Sequence, residues 1–165
     1  MELVKIKIEG FKNFDQAASL HLDQLAPGLH LVRGRNLVNE RLGANGAGKT
    51  TFFSDAPTWC LFGRTVGGLR TGECQTWLSD KPPIVSVTMR HNDDVEYLIT
   101  RGPKATQLEI NGRAVGQEDV DALIGLSYDA WGQAIIFGQG QPLFFDLTAA
   151  NKMDLLATAL NLERW

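Results

Sequence analysis

Eight consecutive residues, Gly43-Ala44-Asn45-Gly46-Ala47-Gly48-Lys49-Thr50, follow the spacing G-x-x-x-x-G-K-[ST] without a departure. Residue types in that order suit one task, which is to hold a polyphosphate. Glycines and small residues let successive backbone N–H groups turn inward and form an anion-binding nest. A helix opening at Lys49 adds unpaired N–H groups and the positive end of its dipole. Lys49 is placed to reach the outer phosphates, and the Thr50 hydroxyl to ligate Mg²⁺. Thr51 is placed to donate to the innermost phosphate. The candidate nucleotide-binding residues are therefore Asn45, Gly46, Ala47, Gly48, Lys49, Thr50 and Thr51.

Such a loop needs a strand before it and a helix after it. Leu29-His30-Leu31-Val32 reads as the strand, although the polar stretch 35–42 separates it from the glycines. Lys49–Phe62 is apolar and aromatic-rich, fits a helix, and is closed by Gly63; Pro57 inside it should remove a hydrogen bond and kink it. Upstream, Val4, Ile6 and Ile8 alternate with polar residues, the period-2 pattern of a half-buried strand over Leu3–Glu9. Ser19–Asp23 is a second short strand. Residues 63–83 carry Gly67-Gly68, Gly72 and Pro82-Pro83 and read as a loop.

A β-meander is expected over 84–115. Its strands are Ile84–Arg90 and Val95–Arg101 around an Asn92-Asp93-Asp94 turn, then a hairpin with the favoured Asn111-Gly112 turn. Gln117–Ile124, with acids at its start, suits a helix, and Ser127 caps another that runs to about Phe137. A last helix, capped by Asp146 or Thr148, starts at Ala149 and continues toward Trp165.

The chain has 165 residues, the size of one domain, and its 44% hydrophobic and 21% charged residues exclude a disordered chain. No apolar run approaches the roughly 18 residues of a membrane span, and the first ten residues have no apolar core, so neither a span nor a signal peptide is expected. A cytoplasmic location is expected. Cys60 and Cys74 lie far apart and suit free thiols, while His21, His30 and His91 show no metal-ligand spacing. The net charge of −3 argues against coating nucleic acid by bulk charge. A local patch of Arg64, Arg70, Lys81, Arg90, Arg101 and Lys104 stays open, with a solvated face as the plainer meaning.

Three further stretches narrow the class. Glu9-Gly10-Phe11-Lys12-Asn13-Phe14, the glycine-rich loop with Trp59-Cys60-Leu61-Phe62-Gly63, and Ile135-Ile136-Phe137-Gly138-Gln139-Gly140-Gln141 occur in that order. Together with Leu160-Asn161-Leu162-Glu163-Arg164-Trp165 they resemble the N-terminal lobe of the ABC-type ATPase head of SMC-like DNA-repair ATPases. The nearest kinds are the SbcC type and the ATPase subunits of phage recombination endonucleases. The resemblance covers the chain from Leu3 to Trp165. It implies an α/β P-loop NTPase lobe with a mixed sheet, spanning 1–165, with a Q-loop region at 135–146 and the root of a coiled coil at 149–165.

It also implies ATP and Mg²⁺ as ligands. Gln139 becomes the Q-loop glutamine, touching Mg²⁺ and the attacking water through an amide that both donates and accepts. Without the resemblance it is a glutamine in a polar loop, and Gln141 replaces it if the register slips by two. Lys12 takes the place of a basic residue near the phosphates; otherwise it is an exposed strand-end lysine. The implied partners are the C-terminal lobe of the same ATPase, a second head in a homodimer, an Mre-type nuclease subunit and double-stranded DNA.

ATP hydrolysis by such heads also needs four apolar residues followed by Asp-Glu, and a Ser-Gly-Gly signature loop. Neither sequence occurs here. The expected activity is thus ATP hydrolysis by a complete head dimer, with Lys49 and Gln139 as the catalytic residues on this chain and little turnover by the chain alone. Two other readings stay open: an SMC-like chromosome-organising or anti-phage defence ATPase with no nuclease of its own, and a nucleotide-binding regulatory module that does not hydrolyse.

Overall fold

Alternation of apolar and polar residues at the start of the chain produces β1 (Glu2–Glu9), whose Val4, Ile6 and Ile8 are buried while the intervening side chains stay at least partly exposed. The computed structural model describes residues 1–35, 41, 45–104, 106–136 and 144–159. Five more strands follow: β2 (Ala18–His21), β3 (Ile84–Arg90), β4 (Glu96–Arg101), β5 (Leu108–Ile110) and β6 (Arg113–Ala114). They form one sheet in the order β2-β1-β3-β4-β5-β6. Each pairing among the described residues is antiparallel.

Register puts Ile6, Val87 and Ile99 side by side, and Ile8, Val85, Arg101 and Leu108 in the neighbouring row. Both rows face a single core. The meander forms as its turns demand. Asn111 and Gly112 both take positive φ, 52° and 76°, the geometry that lets a two-residue hairpin follow the twist of its strands.

Under this face lies the helix that follows the glycine-rich loop. It is not one smooth α-helix. Lys49 and Thr50 are helical, Thr51–Asp55 widens into a π turn, and α1 (Ala56–Phe62) continues to Gly63. The widening accounts for Pro57. Ala56 donates its N–H to the Thr51 carbonyl, five residues back, and Pro57 then falls in the first turn of α1. A π turn one step ahead accommodates a residue that has no N–H to give. Trp59 and Leu61 are fully buried, with Trp59 against Phe11 at a ring-centroid distance of 5.2 Å. The Cys60 thiol donates to Val85 O at 3.3 Å, and both cysteines are free thiols.

Arg101 is the exception in the apolar rows. Its guanidinium donates to the carbonyls of Cys60 (2.8 Å) and Leu61 (3.3 Å) and to Gln117 Oε1, capping the C-terminal end of α1. Burial pushes its pKa below the usual arginine value. The remaining α-helices among the described residues are α2 (Gln117–Ile124), α3 (Tyr128–Ala134) and α4 (Ala149–Ala159). Ser127 Oγ caps α3 by accepting from Ala130 N at 3.1 Å, and Trp131 Nε1 donates to Thr58 Oγ1 at 3.0 Å, tying α3 to α1.

Three expectations are corrected. Leu29–Val32 is not a strand: residues 29–35 have no regular structure, with Leu29 at 103% and Leu31 at 82% exposure. No described strand lies beside them to complete a ladder, and an unpaired strand is not stable in water. Among the described residues the sheet is accordingly antiparallel and not mixed. The helix expected to reach Phe137 ends at Ala134. Phe137, Trp165 and the terminal 160–165 stretch lie outside the described residues. Among the described residues, no helix is long and apolar enough to cross a membrane.

Candidate functional site

Two short segments build the site: the turn after β1 and the loop that opens the long helix. Phe11 and Phe14 exchange both backbone hydrogen bonds, Phe11 N to Phe14 O at 3.0 Å and Phe14 N to Phe11 O at 2.9 Å, leaving Lys12 and Asn13 at the apex. Lys12 has φ of +50°, and its N–H donates to Cys74 O at 2.8 Å. Gly10 sets the entry to this turn. Its φ is +63°, and a Cβ there would lie 2.2 Å from Pro82 O.

The described part of the phosphate loop, Asn45–Lys49, turns tightly into the helix. Gly46 and Gly48 have φ of +72° and +82°. Positive φ at every second residue is what brings successive N–H groups to one side in an anion nest. Gly48 is also required by crowding: a Cβ would lie 2.5 Å from Asn13 Nδ2 and 2.7 Å from Phe14 Cε2. Phe52 N donates to Gly48 O at 2.9 Å and starts the helical ladder. Lys49 is half-buried, Thr50 exposed, and Thr51 half-buried at the start of the π turn. This backbone fits the phosphates of a nucleotide, and Thr50 at the helix start fits an Mg²⁺ ligand.

The two segments are joined by charge. Lys12 Nζ lies 2.6 Å from Asp55 Oδ2, with only 19% and 11% of the two side chains exposed. Asp55 was not legible as a site residue. The available signal was an acid inside an apolar, aromatic helix, which demands a cation when buried. Asn13 was missed as well; its Oδ1 is buried with no hydrogen-bond partner among the described residues. Cys74 sits beside the same pair, and burial pushes its thiol up to about 11 against the opposing pull of the Lys12 ammonium.

Lys12 is thus not an exposed strand-end lysine, and its turn meets the loop at Gly48. Gly43 and Ala44 of the loop, and Gln139 and Gln141, lie outside the described residues. So do residues 137–143, the greater part of the Q-loop region expected at 135–146. The six basic residues do not make one free patch. Arg101 is buried, Arg90 pairs with Glu96 (2.7 Å) and Glu2 (3.2 Å), and Arg64 stacks 3.6 Å over the Tyr128 ring. Lys81 faces Glu9 and Asp15, each at 3.9 Å. Among the described residues, no group of three or more His, Cys, Asp or Glu is placed to hold a metal, and the histidines stay scattered.

A glycine-rich phosphate loop opening a helix that packs under a sheet defines an α/β P-loop ATPase lobe. The family model described as AAA domain matches residues 5–163, and the chain belongs to that family of ATPases. Among solved structures, an SMC head domain from Thermotoga maritima is similar, with 21% identity and a TM-score of 0.49. The match covers 83% of this chain and 46% of that one, so the chain spans less than half its length. No curated protein matches.

Proposed function

We propose that the chain is the ATP-binding, N-terminal lobe of an SMC-like ATPase head that works in DNA double-strand-break repair with an Mre-type nuclease. The observation that carries the ATP site is the nest around Gly46 and Gly48 at the start of a helix, with the Lys12 turn closed over Gly48. Backbone N–H groups of Asn45–Gly48 and the helix start hold the phosphates, Lys49 neutralises the outer ones, and Thr51 donates to the innermost. Thr50 ligates Mg²⁺, which when bound withdraws charge from the transferring phosphoryl group. Gln139 would touch Mg²⁺ and the attacking water, the role that the resemblance implies.

The exposed Leu29, Leu31 and Val32 support a second lobe. They have the sequence of a strand and no ladder beside them among the described residues, as fits a strand completed by the C-terminal lobe of the same ATPase. Two such heads then close on ATP, and DNA ends and the nuclease read that closure. The missing Asp-Glu and Ser-Gly-Gly elements belong to the second lobe in this reading.

Reconstitution tests it. The chain alone should show little or no ATP turnover, and a complete head should turn over in a manner that depends on Lys49 and Gln139. Appreciable turnover by the chain alone, abolished by Lys49→Ala, would sink the divided site. Failure of the complete ATPase to associate with a metallophosphoesterase-type nuclease would favour the nuclease-free readings.

A further inference from the structure

The Lys12–Asp55 pair is costly as a structural tie. A largely buried ion pair loses much of its attraction to desolvation, and well-packed apolar residues often do the same work as well or better. Here the acid stands on the first turns of the phosphate-loop helix, where side chains lean back toward the helix N-terminus. An unneutralised carboxylate in that place repels phosphate.

We propose that Asp55 is a positioning residue of the nucleotide site: its carboxylate fixes the Lys12 ammonium so that Lys12 meets the terminal phosphate of a nucleoside triphosphate in a preset orientation. The proposal rests on the ATP-binding reading above. Four features of the structure converge on it. The 2.6 Å separation is at the short end for a charge-assisted hydrogen bond, and the low exposure of both side chains keeps water from competing. The Lys12 backbone is pinned by its bond to Cys74 O and by the paired bonds between Phe11 and Phe14, so the flexible stem starts from a fixed point. Its neighbours Asn13 and Phe14 abut Gly48, which places the turn against the phosphate loop.

The fourth feature is the π turn that carries Asp55. It shifts the register of the helix by one residue and so sets the direction in which the acid points, a distortion frequent at functional sites. An ammonium has three donors, and Asp55 accepts from one of them. The carboxylate therefore acts on a phosphate only through Lys12. What it sets is discrimination by the number of phosphates and not the grip on the nucleotide as a whole.

The test compares ATP with ADP, each with Mg²⁺, by titration of the wild-type chain and of Asp55→Asn, Asp55→Glu and Lys12→Met. Asp55→Asn should weaken ATP about tenfold and ADP much less, the size of one lost charged hydrogen bond. Lys12→Met should lower the ATP-to-ADP preference at least as far. Asp55→Glu, which keeps the charge on a longer arm, should fall between wild type and Asp55→Asn. A partly unfolded fraction scales both affinities alike and cancels in the ratio. If Asp55→Asn does not fold, the Asp55→Glu ratio decides alone.

A wild-type ratio in every Asp55 variant that folds, with binding still dependent on Lys49, overturns the positioning role and leaves the ATP site standing. Equal weakening of ATP and ADP makes the pair a structural tie and overturns it too. No nucleotide binding by the wild-type chain removes both readings together.

Discussion

The sheet and the approach to the phosphate loop were built from similar residues and ended differently. In β1, β3 and β4 the apolar positions Ile6, Ile8, Val85, Val87 and Ile99 are fully buried, each strand bonded on both sides. In 29–32 the same kinds of residue stand in water, and the backbone belongs to no ladder. The difference is the availability of neighbours. β1 finds β2 and β3 within this chain, whereas Leu29–Val32 finds none among the described residues. Strand sequence states a preference for a half-buried pleated surface, and tertiary partners decide whether it is realised.

The contrast should break most visibly in the core. Trp59→Ala removes a fully buried ring packed on Phe11 and should destabilise by about 3–5 kcal/mol in urea unfolding. A loss under about 1 kcal/mol would mean that the sheet and α1 are not one cooperative core.

An intermediate effect is expected from the buried thiols. Unfolded cysteines ionise near 9.0, while burial holds the folded Cys60 to about 12 and Cys74 to about 11. Their folded pKa values are raised, so the neutral thiols contribute in full below 9.0 and lose ground as pH climbs through that window. Stability should therefore fall above pH 9, and Cys60→Ala should flatten the slope. An unchanged slope in that variant would place the alkaline loss elsewhere.

The smallest effect belongs to the other region. Leu29→Ser with Leu31→Ser should change the stability of the chain by no more than about 0.5 kcal/mol, because neither side chain loses a buried contact. The same pair should weaken association with a C-terminal lobe. A large loss of stability in the chain alone would show that the segment is already packed.

Much of this was legible in the sequence, for identifiable reasons. Period-2 alternation in β1 and the Asn111-Gly112 turn are local signals with local causes, and both elements formed where they were expected. The glycine-rich loop was legible because its chemistry fixes residue types at fixed spacing. Leu29–Val32 misled because its pattern is local and its partner is not. The Lys12–Asp55 pair spans 43 positions, a distance at which sequence alone offers a buried acid and a basic residue but nothing that joins them. Pro57 became intelligible only with the π turn ahead of it, which no residue pattern announces. Gln139 keeps the role that the resemblance implies, as a proposal.

Calorimetric titration of the chain with ATP and Mg²⁺, with Lys49→Ala alongside and unfolding curves to confirm that both are folded, tests the nucleotide site itself. Saturable binding is expected, weakened by about tenfold or more in Lys49→Ala, the loss of one charged contact to phosphate. Equal binding by the two folded proteins, or none by the wild type, would contradict a nucleotide site at this loop.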